Sequence, residues 1–195
     1  MVLSIALATS GGPGTAELAF GVIGIILVGL GVLALWRSSR RRVENVLSGV
    51  GSRSDFDRDI KSLARDDPGT LAIVAVELDG LDEIANAHGQ EAAQALFTQS
   101  AKLFARRLRN GDAAYHPGGD ELVALLRGTD EAGARRVAER VLGGIELLVS
   151  PTGRAVTASV GVTSGPAAAA RSMVAAAHRA ATVARQSGLN RIASA

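Results

Sequence analysis

A run of nineteen uncharged residues near the N-terminus, LAFGVIGIILVGLGVLALW at 18–36, constrains this chain more than any other feature. A helix needs about 20 apolar residues to cross a bilayer core, and Trp36 ends the run where an aromatic ring prefers the interface. The basic segment RSSRRR follows at once, and the positive-inside rule places that end in the cytoplasm. A cleaved signal peptide would have a shorter apolar run after a basic segment. The sequence therefore predicts a transmembrane helix over 18–36, preceded by an outside segment over 1–17.

The charge of the chain is concentrated beside this run. The net charge is +2, and residues 37–44, predicted as a basic juxtamembrane helix, carry four arginines against one glutamate. The acidic and basic residues of 45–195 balance, which argues against a nucleic-acid-binding domain because such a domain needs a basic face. The chain has no cysteine, which excludes disulfides, thiolate zinc sites and cysteine nucleophiles.

Residues 45–195 read as one domain in which strands and helices alternate. A buried strand is predicted over 70–78 and a hairpin over 112–128, with Gly118-Gly119 at its turn. Further helices are predicted over 54–67, 79–89, 90–111, 129–149 and 166–188, and further strands over 155–165 and 190–194. Thr129 is the expected cap of its helix, Asn110-Gly111 the expected end of the long one, and Pro166 the start of the last. This order predicts an α+β fold with a mixed or antiparallel central sheet and flanking helices.

Acidic residues stand at two predicted strand ends. Glu77 and Asp79 lie where the first strand runs into a turn, and Asp120 and Glu121 lie at the hairpin turn. If these ends are neighbours in the sheet, their carboxylates suit Mg²⁺ bound to a triphosphate, with glycine amides near the phosphates. By spacing alone the simpler interpretation is that acids flank strands because turns are solvated.

The stretch GGDEL at 118–122 resembles the signature of the GGDEF domain, the diguanylate cyclase module. Four further segments resemble that family's motifs in the same order: NVLSGVGSR, ELDGLDEIANAHG, ASVGV and AAHRAATVARQSGLNR, which begin at residues 45, 77, 158 and 176. The resemblance implies the nucleotide-cyclase-like GGDEF fold over 45–195. It also implies the family's reaction, in which two subunits join two GTP molecules into cyclic di-GMP with Mg²⁺ as cofactor.

The resemblance assigns roles to individual residues. It implies catalytic roles for Asp120 and Glu121, metal binding by Glu77 and Asp120, and substrate binding by Gly118, Gly119, Gln94 and Arg185. Glu77 stands for an aspartate and is one methylene longer. A metal ligand displaced by about an ångström can cost ~10²-fold in rate.

The family's guanine and phosphate contacts are the most altered part. Ala85 replaces the asparagine that binds guanine, Gln94 replaces the aspartate that reads it, and Leu189 replaces a phosphate-binding arginine. A polar pocket that loses its partners can lose 10²- to 10⁵-fold in discrimination. In addition, Asp82 stands in place of a lysine and His116 in place of an arginine. These changes favour a degenerate member of the family.

A second nucleotide site is suggested by Arg109 and Asp112. They match the family's product-binding R-x-x-D pattern, in which arginine grips phosphate or guanine edges and aspartate accepts from guanine. The alternative is a helix C-terminus, where Asn110-Gly111 ends the helix and Arg109 complements its dipole.

These observations predict a degenerate GGDEF domain anchored by one helix in the bacterial inner membrane, with its C-terminal domain in the cytoplasm. We expect it to act in cyclic di-GMP signalling by binding GTP or cyclic di-GMP, or by pairing as a homodimer or with another signalling protein. Two alternatives remain open: an active diguanylate cyclase, and a structural interaction domain that binds no nucleotide. Nucleic acid is not an expected partner.

Overall fold

The structure, a computed structural model, describes residues 49–195. The predicted N-terminal segment over 1–17, the transmembrane helix over 18–36 and the juxtamembrane helix over 37–44 lie outside the described residues. Across 49–195, no helix is both long enough and apolar enough to cross a membrane.

Five strands form one mixed sheet in the order β2-β3-β1-β4-β5. Their bounds are β1 Thr70–Leu78, β2 Ala113–Gly118, β3 Glu121–Arg127, β4 Ala158–Pro166 and β5 Ile192–Ser194. The central strand β1 is antiparallel to both β3 and β4, and the edge strand β5 is parallel to β4. The α+β fold with a mixed sheet is therefore confirmed.

Within residues 49–195, five α-helices flank this sheet: α1 Arg53–Asp66, α2 Leu81–His88, α3 Gln90–Arg106, α4 Glu131–Ile145 and α5 Ala170–Gln186. A 3₁₀ turn over Ala167–Ala169 precedes α5. Alternate residues of β1 face two cores. Val74 and Val76 pack with side chains of α2, α3 and α4, whereas Leu71 and Ile73 pack with side chains of α1 and α5. Because both faces are covered, the strand is continuously apolar rather than alternating.

The contact between α5 and β4 depends on Gly161. A Cβ placed there would lie 1.9 Å from the carbonyl oxygen of Ala177 and 2.4 Å from the amide nitrogen of Ala181. The helix backbone therefore rests directly on the strand. This close approach fixes the position of α5, which carries His178 and Arg185 to the edge of the sheet.

The start of α1 differs from the expectation. The helix predicted from residue 54 begins one residue earlier, at Arg53, and Ser52 is its N-cap. The Ser52 side chain accepts a hydrogen bond from the backbone amide of Asp55, and the Asp55 side chain accepts one from the backbone amide of Ser52. This capping box satisfies two amides that the first helical turn leaves free.

Three other helix ends also differ from the expectation. The helix predicted to run to Asn110-Gly111 ends at Arg106, and the last helix begins at Ala170, because Pro166 closes β4. The cap of α4 is Asp130, whose side chain accepts from the amide of Gly133. Thr129 instead donates its hydroxyl to the carbonyl of Arg127, so it closes the preceding turn.

Candidate functional site

The two acid-bearing strand ends lie side by side. In the antiparallel pair of β1 and β3, Glu77 stands opposite Glu121, and the amide of Leu78 donates to the carbonyl of Asp120 at 3.3 Å. Sheet register thus brings acids from positions 77–79 together with those at 120–121. The condition that a shared site requires, that these two strand ends are neighbours in the sheet, is therefore met.

Arg185 of α5 reaches into this group of acids. Its guanidinium lies 3.2 Å from the Glu77 carboxylate, 3.6 Å from that of Asp79 and 3.5 Å from that of Asp120. It also donates to the carbonyl oxygen of Leu78 at 3.3 Å. We call Glu77, Asp79, Asp120, Glu121 and Arg185 the acidic cluster.

Asp79 is the most buried member of the cluster, with 2% of its side chain exposed. It accepts hydrogen bonds from the hydroxyl of Ser159 at 2.9 Å and from the backbone amide of Asn190 at 3.3 Å. These bonds tie β1 to β4 and to the loop after α5. Asp79 therefore has a structural role, because it connects the end of β1 to β4 and to the loop after α5. Its place after a strand did not indicate this role.

His178 pairs with Glu121 at the other end of the cluster. Its Nδ1 atom lies 2.8 Å from Glu121 Oε1, a contact that is an ion pair when the imidazole is protonated. Contact with Glu121 raises the pKa of His178 against the opposing effect of burial. No local feature of the sequence indicates this contact, because Glu121 lies on a distant strand.

Crowding among the carboxylates changes the acidity of Glu77. Burial is the main cause that raises its pKa, and the negative charges of Asp120 and Glu121 raise it further, whereas Arg185 opposes them. A carboxyl whose charged form is disfavoured in this way gains when a cation is near. The cluster is thus electrostatically suited to a positively charged partner.

The donor chemistry of the cluster fits Mg²⁺. Glu77 and Asp120 both approach one guanidinium nitrogen, so their oxygens converge on a common point. Mg²⁺ is commonly held by one or two carboxylates together with substrate phosphates and water. Among the described residues, no group of three or more His, Cys, Asp or Glu side chains is arranged to hold a metal ion.

The glycine turn leaves its backbone open. Gly118 and Gly119 have φ angles of 140° and 67°, and a Cβ at either position would meet no atom within 4 Å. The ring of His116, which follows Tyr115 on β2, lies over Phe97 of α3 with centroids 4.7 Å apart. The turn therefore leaves free space next to its backbone, as a phosphate-binding turn requires. The neighbouring His116 is fixed by its contact with Phe97.

The altered substrate positions lie on α2, on α3 and after α5. Gln94 is half-buried on α3, one helical turn before Phe97 and so on the same side of the helix. Ala85 on α2 packs partly buried against the core, and Leu189 after α5 is 58% exposed. Gln94 thus shares a side of α3 with Phe97, and an apolar side chain stands at each of the other two positions.

Arg109 and Asp112 lie in the loop between α3 and β2. Arg109 Nε is 3.4 Å from Asp112 Oδ1, and Arg109 Nη2 donates to the carbonyl of Arg127 at 2.7 Å and to Thr129 Oγ1 at 3.0 Å. Because α3 ends earlier, the pair does not cap that helix. It joins the loop to the end of β3.

Both residues line an open cleft with a volume of about 780 Å³. Its walls also carry Arg58 and Asp59 of α1 and Tyr115 of β2. Arginines and carboxylates facing one cleft provide donors for phosphate and acceptors for guanine amino groups.

Comparison with known proteins gives consistent relationships. Residues 45–191 match the model of the diguanylate cyclase GGDEF domain. The chain is 30% identical over 128 residues to diguanylate cyclase A of Treponema denticola. The aligned segment covers 63% of this chain and 34% of that protein. The chain spans about a third of the length of the curated relatives that it matches.

Solved structures share the fold. The GGDEF domain of DgcB from Caulobacter crescentus in complex with c-di-GMP aligns with a TM-score of 0.68 and 15% identity over 74% of this chain and 91% of that one. Diguanylate cyclase SiaD from Pseudomonas aeruginosa, in complex with its activator SiaC, aligns with a TM-score of 0.69 and 19% identity over 93% of this chain and 76% of that one.

Proposed function

Because the chain belongs to the GGDEF family of diguanylate cyclase domains, we propose that it acts in cyclic di-GMP signalling as a nucleotide-binding or protein-interacting module with weak or no cyclase activity. The match extends over nearly the whole described part of the chain. One aligned structure holds c-di-GMP and another holds a partner protein, so both modes of action exist on this fold.

The cleft that contains Arg109 and Asp112 is the observation that carries the nucleotide-binding proposal. The side chain of Asp112 is 3% exposed and that of Arg109 is 63% exposed. The aspartate is therefore held in place while the arginine is accessible to a ligand. In this arrangement Arg109 is the residue that binds a phosphate or a guanine edge, and the nearly buried Asp112 holds Arg109 at the wall of the cleft.

Reduced catalysis follows from the substrate positions. Ala85 supplies no hydrogen-bonding side chain for a base, Gln94 lacks the charge of an aspartate, and exposed Leu189 supplies no charge for phosphate. The signature turn at Gly118 and Gly119 keeps its open backbone. We infer that phosphate can still approach the turn, whereas the base is held weakly.

If Mg²⁺ binds, Glu77 and Asp120 are the residues that hold it, and its charge offsets the negative charge of a bound triphosphate. Glu121 lies beside Asp120 and pairs with His178, so it ties the end of the hairpin to α5. The convergence of Glu77 and Asp120 is the observation that favours the second candidate, an active cyclase. That activity requires two copies of the domain, each holding one GTP.

Residues 18–36 are proposed as the membrane anchor, in the inner membrane with the domain in the cytoplasm. The support is the uncharged run followed by RSSRRR. Carbonate extraction of membranes tests it: the chain is expected to stay in the pellet, and release into the supernatant would contradict the anchor.

Nucleotide binding is tested by titrating cyclic di-GMP into the full chain in a calorimeter. We expect saturable heat that Arg109→Ala removes, because the guanidinium is lost. Arg106→Ala is the matched control, since Arg106 is exposed at the end of α3, and it is expected to bind as the parent does. If neither cyclic di-GMP nor GTP binds up to high micromolar ligand, the interaction domain without nucleotide is the better account.

A further inference from the structure

We propose that Arg185 serves as an internal cation of the acidic cluster, so that a divalent metal ion binds only after the guanidinium has moved away. The inference rests on the proposed metal site. Its basis is a single nitrogen: Arg185 Nη2 lies 3.2 Å from Glu77 Oε2, 3.5 Å from Asp120 Oδ2 and 3.3 Å from the carbonyl oxygen of Leu78. Two carboxylates and a backbone carbonyl are the oxygen donors that a hard divalent cation takes.

The guanidinium of Arg185 does not form good hydrogen bonds with all of the oxygens around it. Nη2 carries two hydrogens but faces three oxygens. Its contacts of 3.2–3.5 Å are longer than the roughly 2.7–2.9 Å of a strong charge-assisted bond. Arg185 Nε is buried without a hydrogen-bond partner and lies 3.6 Å from Asp79 Oδ1. The arginine therefore neutralises the cluster without the geometry that would lock it there.

The side chain of Arg185 can also leave the acidic cluster. It is 38% exposed, so it can swing into solvent or toward a phosphate without any helix moving. A metal ion and the guanidinium repel each other at this distance and compete for the same oxygens. Metal binding thus carries the added cost of displacing Arg185, and a nucleotide phosphate lowers that cost by giving the guanidinium a new partner.

The experiment measures Mn²⁺ binding to the full chain in detergent without nucleotide, by the spectrum of free Mn²⁺ in electron paramagnetic resonance. Arg185→Gln is expected to bind Mn²⁺ at least about tenfold more tightly than the parent, equivalent to ~1.4 kcal/mol. Arg179→Gln is the matched control, because Arg179 is exposed on the same helix, and its affinity should stay within about twofold of the parent. Equal or weaker binding by Arg185→Gln would overturn the proposal.

The site of the gain is checked with Asp120→Asn in the Arg185→Gln background. The proposal predicts that the tighter binding disappears, and a gain that persists places the metal elsewhere and refutes it. Arg185→Lys keeps a positive charge and should bind Mn²⁺ close to the parent affinity.

A measurement on the unaltered protein covers the case in which Arg185→Gln folds poorly. The ¹⁵Nε resonance of Arg185, assigned by its loss in Arg185→Lys, should move when Mg²⁺ is added, because the guanidinium leaves the carboxylates. An unchanged resonance at saturating Mg²⁺ overturns the proposal. None of these measurements uses a nucleotide, so cyclic di-GMP binding can persist or fail independently.

Discussion

Replacing Gly161 by alanine tests how closely α5 must approach the sheet. The added Cβ would stand 1.9 Å from the carbonyl oxygen of Ala177, whereas ordinary van der Waals contact begins near 3.4 Å. Helix and strand would have to separate by about 1.5 Å, the difference between those two distances. Overpacking a core costs about 1–3 kcal/mol, and the obstacle here is backbone, so we expect about 3 kcal/mol.

For a chain of this size, 3 kcal/mol corresponds to a fall of about 6–12 °C in Tm. Thermal unfolding of the full chain, followed by circular dichroism, measures it. Gly143→Ala is the control, because a Cβ there meets nothing within 4 Å and alanine favours the helix interior of α4 by about 1 kcal/mol. A Gly161→Ala variant as stable as the parent would refute the account of the close helix–strand contact.

Two further predictions concern α1. The first tests the capping box at its start, and the second tests the hydrogen bond between Asp59 of α1 and Tyr115 of β2. Hydrogen bonds from Ser52 lower the pKa of Asp55 to about 2 from the ordinary value of 3.8, so the contribution of Asp55 to stability is present at neutral pH and is lost as the pH falls toward 2. An NMR titration of the parent should find this pKa, and Ser52→Ala should raise it to near 4. A value near 4 in the parent would contradict the capping box. Burial and a hydrogen bond to Asp59 raise the pKa of Tyr115 above its ordinary 10.0, so its stabilising effect is lost as the pH rises past 10. Because Tyr115 is the only tyrosine, phenolate absorbance reports it directly, and Asp59→Asn should shift the titration to lower pH; no shift would contradict the bond.

The sequence predicted the strands well because their signals are local. The short apolar run over 70–78, with its β-branched residues, predicted a buried strand, and the Gly-Gly turn predicted the hairpin. Helix ends were less predictable, because Thr129 and Asp130 are both good caps and only geometry decides between them. Asp130 reaches the amide of Gly133, whereas Thr129 faces the preceding turn.

The acids of the site were predictable in position, but their partners were not. Glu77 and Asp120 stood out because Glu77 lies near the end of a predicted strand and Asp120 lies at the hairpin turn. Arg185 was expected to contact phosphate, and nothing local indicates that it lies between those carboxylates. That contact depends on the packing of α5 against Gly161, a long-range feature that no local pattern encodes.

Cyclase turnover tests the central claim most directly. The purified full chain is incubated with saturating GTP and Mg²⁺, and cyclic di-GMP is measured beside Asp120→Ala. The account predicts little or no product and no clear difference between the two proteins, because Ala85, Gln94 and Leu189 hold the base and phosphates poorly. Sustained formation of cyclic di-GMP that Asp120→Ala abolishes would contradict it and establish an active diguanylate cyclase.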